Sequence, residues 1–89
     1  MPESYGSTVL MERIVKQDNI GKYLVSTVKL PVNHGYGTVE LWYETMIFPK
    51  DEWSELYTDR YTTEEEAIVG HAQAIALAQT MEEDDNETD

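Results

Sequence analysis

The stretch Thr38–Phe48, TVELWYETMIF, constrains this chain more than any other. Val39, Leu41, Tyr43, Thr45 and Ile47 alternate with Glu40, Trp42, Glu44, Met46 and Phe48, and a period of two is the signature of a strand. Both sets include large apolar groups. The strand is therefore expected to be central and covered on both sides for part of its length. A chain of 89 residues leaves room for one domain around it. Such a domain buries about 60–68% of the surface its unfolded chain exposes, so the core must be small.

Other segments supply neighbours for that strand. Thr8 to Lys16 alternates Val9, Met11, Arg13 and Val15 with Leu10, Glu12 and Ile14, as a strand does. The run Gln17–Gly21 is turn-rich. Lys22 to Leu30 is rich in β-formers. There the alternation sets Tyr23, Val25, Thr27 and Lys29 against Leu24, Ser26, Val28 and Leu30, the second set being the expected core face. These two strands should form a hairpin. Pro31 lacks a donor and ends pairing. A loop with two glycines, Asn33-His34-Gly35-Tyr36-Gly37, precedes the central strand. It lacks the third glycine and following helix of a dinucleotide fingerprint. After a turn at Pro49–Glu52, Leu56–Tyr61 reads as a fourth strand, with a helical turn through Trp53–Tyr57 as the competing reading.

Thr62 and Thr63 open a helix. Both Thr62-Thr63-Glu64-Glu65 and Thr63-Glu64-Glu65-Glu66 fit a capping box. Three glutamates in the first turn suit the positive end of the helix dipole. The helix is expected to run to about Met81. Its inward stripe should be Ile68, His71, Ala72, Ile75 and Ala78, widened by Ala67, Ala74 and Met81. The expected fold is α+β: an antiparallel meander of about four strands with one C-terminal helix packed on a face. A three-stranded sheet with two helices is the alternative. Residues 1–7 read as a flexible lead-in, 8–81 as the domain and 82–89 as a disordered acidic tail.

Composition removes several function classes. There is no cysteine, which excludes disulfides, thiolate zinc sites and thiol catalysis. The formal net charge is -12, which argues against direct nucleic-acid binding. Half of that charge lies in EEDDNETD, residues 82–89. Such a run is usually a solubilising tail; the sharper reading is a lure for a basic partner or a mimic of nucleic-acid phosphate. The first residues lack a charged n-region and an apolar h-region, and no apolar run is long enough for a bilayer. No signal peptide and no membrane span are expected, which points to a soluble protein inside a cell.

His34 and His71 are the two histidines. Converging with Glu44, they would make a metal or acid–base site. No spacing such as His-x3-His supports this, and His71 lies on the apolar stripe of the helix. A core histidine bonded to backbone or carboxylate is the preferred reading, with no metal and no cofactor. Glu44 would serve as a general base if buried; pairing with Arg60 on the next strand is preferred. Trp42, Tyr43, Phe48, Trp53, Tyr57 and Tyr61 exceed the aromatic needs of a small core. Tryptophan and tyrosine favour binding hot spots, so His34, Tyr36, Trp42, Trp53 and Tyr57 are the candidate contacts for a partner or ligand.

The segments STV (26–28) with Leu30, NHGYG (33–37), YETMIF (43–48), DRY (59–61), TEEEA (63–67) and Gly70-His71 come in a distinctive order. In that order the chain resembles a group of small proteins encoded by tailed bacteriophages. The match spans residues 26–71, about half the chain. Ile47 stands where valine is usual, and Asn33 where aspartate is common. The resemblance implies an origin, a phage accessory protein acting in the host cytoplasm, and carries no activity with it. The expected function is to bind and inhibit or redirect a host protein, with a homodimer as a further partner. The alternatives are a small-molecule, nucleotide-like binder acting as a homo-oligomer, and a nucleic-acid mimic. No combination of nucleophile, base and oxyanion donor is visible, so an enzyme is not expected.

Overall fold

A computed structural model describes residues 13–52 and 54–87. Four strands, β1 (Arg13–Ile20), β2 (Tyr23–Lys29), β3 (Tyr43–Pro49) and β4 (Tyr57–Tyr61), form one antiparallel sheet in the order β1-β2-β3-β4. Helix α1 (Glu64–Glu87) packs on one face. Among the described residues the fold is thus an α+β meander with one C-terminal helix. The first part of the expected first strand, residues 8–12, and the lead-in before it lie outside the described residues.

The β1–β2 turn is tighter than the sequence suggests. Ile20 pairs with Tyr23 across Gly21-Lys22. Gly21 takes φ 58°, and glycine at the first position of a two-residue hairpin turn is the type II′ pattern. The strand therefore extends through Gln17–Ile20, which reads as loop from composition. The shift in register between Ile14 and Lys16 leaves Val15 as a bulge.

The central strand is shorter than its alternation implies. Residues 38–42 return from a second turn, in which Val39 N–H donates to the Tyr36 carbonyl (2.8 Å) and Gly37 takes φ 56°. Regular pairing starts at Tyr43, where β2 and β4 flank β3 on both edges. β3 is central, as its two apolar faces require.

Helix α1 lies over Tyr23, Val25 and Ile47, against which Ala74 and Ala78 pack, with Ile20, Tyr57, Ile75 and Met81 around them. The helix thus covers the Tyr23–Val25–Thr27 face of β2 and not the Leu24–Val28 face that the alternation favours. Ser26, Val28 and Leu30 on the opposite side are nonetheless buried. The inward stripe also differs: Ala67, Gly70, His71, Ala74 and Ala78 are buried, while Ile68 and Ala72 face outward. Small side chains won this contact because they let the helix approach the sheet closely. A Cβ on Gly70 would lie 2.1 Å from the Tyr61 hydroxyl.

Both ends of α1 are fixed by glutamates. Glu66 N–H donates to Thr63 Oγ1 (3.2 Å), and Glu66 Oε1 accepts from the amides of Thr62 (3.1 Å) and Thr63 (3.2 Å). This is the capping box, set at Thr63 and not Thr62. At the far end the helix continues past Met81 to Glu87, through most of the run expected to be a disordered tail. Glu82 explains part of the extension: its Oε1 accepts from Lys22 N–H (3.2 Å), and its carboxylate lies against Gly21. Residues 88–89 lie outside the described residues.

Candidate functional site

The sheet–helix interface contains a chain of polar side chains. His71 is 1% exposed. Its Nε2 lies 2.8 Å from Asp18 Oδ2 on β1, and its Nδ1 lies 2.7 Å from Thr27 Oγ1 on β2. Thr27 in turn shares a short hydrogen bond with Thr45, its register partner on β3. An ionised carboxylate only accepts. His71 Nε2–H therefore donates to Asp18, and the Thr27 hydroxyl is shared between His71 Nδ1 and the Thr45 hydroxyl. Three strands and the helix are thereby joined by one hydrogen-bonded chain.

The order carboxylate–imidazole–hydroxyl is that of an acid–base–nucleophile triad. Burial decides against that use, because Thr27 and Thr45 are fully buried and no substrate reaches their hydroxyls. The chain does what the sequence reading expects of a core histidine: it satisfies a buried imidazole. Tyr61 lies beyond Thr45. Its hydroxyl is buried without a well-formed hydrogen bond. Burial, with the Asp59 carboxylate and Tyr57, raises this phenol above the usual tyrosine range against a smaller lowering effect of Thr45. Tyr57 is raised in the same direction, by burial first and then by Asp59.

His34 does not join this arrangement. Both ring nitrogens of His71 are engaged by Thr27 and Asp18. Among the described residues no group of three His, Asp or Glu side chains is placed to hold a metal ion. Glu44 instead pairs with Arg60, its register partner on β4, with Arg60 Nε 2.9 Å from Glu44 Oε2. That pair is the preferred structural reading of both residues.

The Asn33–Gly37 loop is held by Asn33, whose Oδ1 accepts from the amides of Gly35 and Leu41, each at 2.8 Å. A Cβ on Gly35 would lie 1.9 Å from the Val39 carbonyl oxygen, so this close approach requires glycine. His34 is exposed on the loop, and Tyr36 is 88% exposed at its tip. Trp42 is half-buried, and its indole N–H donates to Glu40 Oε1 (2.8 Å). Tyr57 is half-buried against the core. Trp53 lies outside the described residues. His34 and Tyr36 stand on the loop, Trp42 immediately before β3 and Tyr57 at the start of β4, and His34 N–H donates to the Leu41 carbonyl (3.0 Å), which keeps the loop beside Trp42.

Reading the sequence for aromatics missed the outward side of α1. Ile68 (48% exposed) and Val69 (58%) project from it, with Ala72, Ala76 and the partly exposed Leu77 following. Beside this row lies an apolar cleft of about 300 Å³ lined by Tyr61, Glu65, Glu66, Val69, Gly70 and Gln73. The signal was present in the sequence, since after its acidic first turn the helix has apolar residues all round between Ala67 and Ala78. No helix among the described residues is long and apolar enough to cross a membrane. No protein-family model, curated protein or solved structure matches this chain.

Proposed function

We propose that this protein is a small phage-type accessory factor that binds a host protein in the host cytoplasm and inhibits or redirects it, and that the outward side of α1 is its docking surface. The supporting observation is an exposed apolar row with acids at both ends. Glu64, Glu65 and Glu66 precede Ile68 and Val69, and the acidic run that starts at Glu82 follows Leu77. The helix has no lysine or arginine. Carboxylates at its C-terminal end oppose the helix dipole and so do not stabilise the helix as a group. Their arrangement fits a partner whose apolar groove is flanked by basic side chains. The cleft beside Tyr61 accommodates an apolar anchor or the aliphatic stem of a lysine or arginine, its charged head beside Glu65 and Glu66. A second copy of this chain fits less well, because each end of the helix would meet another acidic end.

The test is capture from host lysate followed by native mass spectrometry, using the wild-type chain and Ile68→Glu/Val69→Glu. Both side chains are exposed, so the variant should keep its circular dichroism spectrum. A defined complex that forms with wild type and is lost in the variant supports the reading. A complex that persists in the variant, or a homo-oligomer alone, overturns it.

A further inference from the structure

Two clefts meet at the corner of the sheet where α1 begins. One, of about 260 Å³, is lined by Lys29, Trp42, Tyr43, Thr62 and Thr63. The other, of about 320 Å³, is lined by Arg13, Ile14, Val15, Lys29, Tyr43 and Glu64. Lys29 and Tyr43 belong to both, so the two clefts are halves of one basin.

The charges in this basin are unusual for the chain. Arg13 and Lys29 are register partners on neighbouring strands, and like charges placed opposite one another destabilise a sheet. Neither forms an ion pair among the described residues. The chain has 6 Lys and Arg against 18 Asp and Glu, yet two of those few bases are set side by side, and among the described residues no acid bridges them. An oxyanion between them would relieve the repulsion and satisfy both cations. The start of the helix is not the source of this attraction, because the amides of Thr62 and Thr63 already donate to Glu66. The acids at the other end of α1 act weakly here: about 18 residues of helix, or roughly 27 Å, separate Glu64 from Glu82, well beyond the ~10 Å screening length at 0.1 M salt.

The rest of the basin narrows the class of anion. Trp42 and Tyr43 provide ring surface next to the cations, and the bond from Trp42 to Glu40 holds the indole in place. Glu64 lines the same basin. As a carboxylate it only accepts hydrogen bonds, so it disfavours a bare phosphate and suits a ligand that also carries donors.

We infer that this basin binds a small phosphorylated molecule with a flat ring and hydroxyl or amino donors, the chemical class of a nucleoside monophosphate. The phosphate sits between Arg13 and Lys29, the ring lies against Trp42 and Tyr43, and Glu64 accepts from a ligand donor. The site shares Glu64 with the acidic end of the α1 docking surface but neither Ile68 nor Val69 lines it, so either proposal can fail without the other.

The experiment is a titration of the full-length, isotope-labelled chain with adenosine monophosphate and, separately, with inorganic phosphate, followed by amide NMR. Saturable shifts are expected at Arg13, Lys29, Trp42, Tyr43 and Glu64 with the nucleotide, and weaker binding with phosphate. Arg13→Ala and Lys29→Ala should each weaken nucleotide binding roughly tenfold, the loss expected for one charge-assisted contact. Lys50→Ala, on the distant β3–β4 turn, should leave it unchanged. Trp42→Leu should weaken the nucleotide and leave phosphate as it was. Absence of saturable shifts, equal affinity for phosphate and nucleotide, or shifts that survive in the Arg13→Ala/Lys29→Ala double variant would each overturn the proposal. The cationic side chains are exposed or at the strand margin, and the spectra themselves report whether each variant is folded.

Discussion

On the face of the sheet beneath α1, His71 is sealed at 1% exposure and joins Asp18, Thr27 and Thr45. On the opposite face, buried Glu44 holds Arg60, whose side chain is 42% exposed. Both assemblies place polar groups inside a small core, but they meet the cost of desolvation differently. The first places hydroxyls and a single imidazole at its centre and leaves its carboxylate, Asp18, at the margin with its side chain 39% exposed. The second buries its carboxylate and keeps its cation partly in water, where removing charges from solvent costs less. The sealed chain therefore depends on every member, whereas solvent can replace part of the open pair.

Breaking the sealed side should have the largest effect. His71→Ala removes the link between sheet and helix, opens a cavity and strands Thr27 and Asp18; a loss of about 3 kcal/mol is expected in urea unfolding. A loss below about 1 kcal/mol would show that the chain does not hold the helix down. Thr27→Val keeps the shape and leaves His71 Nδ1 without its hydrogen-bond partner, at about 1–3 kcal/mol. Adding Thr45→Val should cost less than the sum of the two single changes, because the residues act as one unit. Additive losses would argue for separate contacts.

Gly70→Ala tests the closeness of helix and sheet. The new methyl meets the Tyr61 hydroxyl, and overpacking of this kind costs about 1–3 kcal/mol. Tyr61→Phe removes that hydroxyl and should rescue part of the Gly70→Ala loss. On the open face, Arg60→Ala should cost only about 1 kcal/mol, since its exposed side chain is screened by water. A loss as large as that of His71→Ala would end the distinction between the two faces.

The smallest effect expected concerns pH. Tyr61 has a higher pKa in the folded chain than its ordinary value of 10.0. The folded state then prefers the protonated phenol. This contribution is fully present below about pH 10 and is lost as pH rises through the folded value. Unfolding midpoints measured across that window should fall more steeply for wild type than for Tyr61→Phe. Parallel curves would show that Tyr61 is as ionisable in the folded chain as in the unfolded one.

Strand number, order and direction were legible in the sequence because each depends on local signals: period-two runs, Pro31, two turn glycines and the capping box at Thr63. Pairing of Glu44 with Arg60 was legible for the same reason, since a charged residue on each of two neighbouring strands has few other partners. The face that α1 covers was not legible. β2 is buried on both sides, so the alternation that favoured Leu24, Ser26, Val28 and Leu30 picked out a buried face but not the one under the helix. Nor was the ligand set of His71, because Asp18 lies 53 positions away and sits in a stretch that composition marks as a turn.

The sequence by itself determined the meander, the C-terminal helix, the acidic character and the exclusion of cysteine chemistry, since all of these follow from residue type and short-range order. Only the tertiary structure decided which face of the sheet the helix takes, that Ala67, Gly70, Ala74 and Ala78 line the contact while Ile68 and Val69 are left outside, and that Arg13 and Lys29 stand side by side at the start of α1. These are outcomes of close packing and strand register. They join residues far apart in the chain, and no local pattern specifies them.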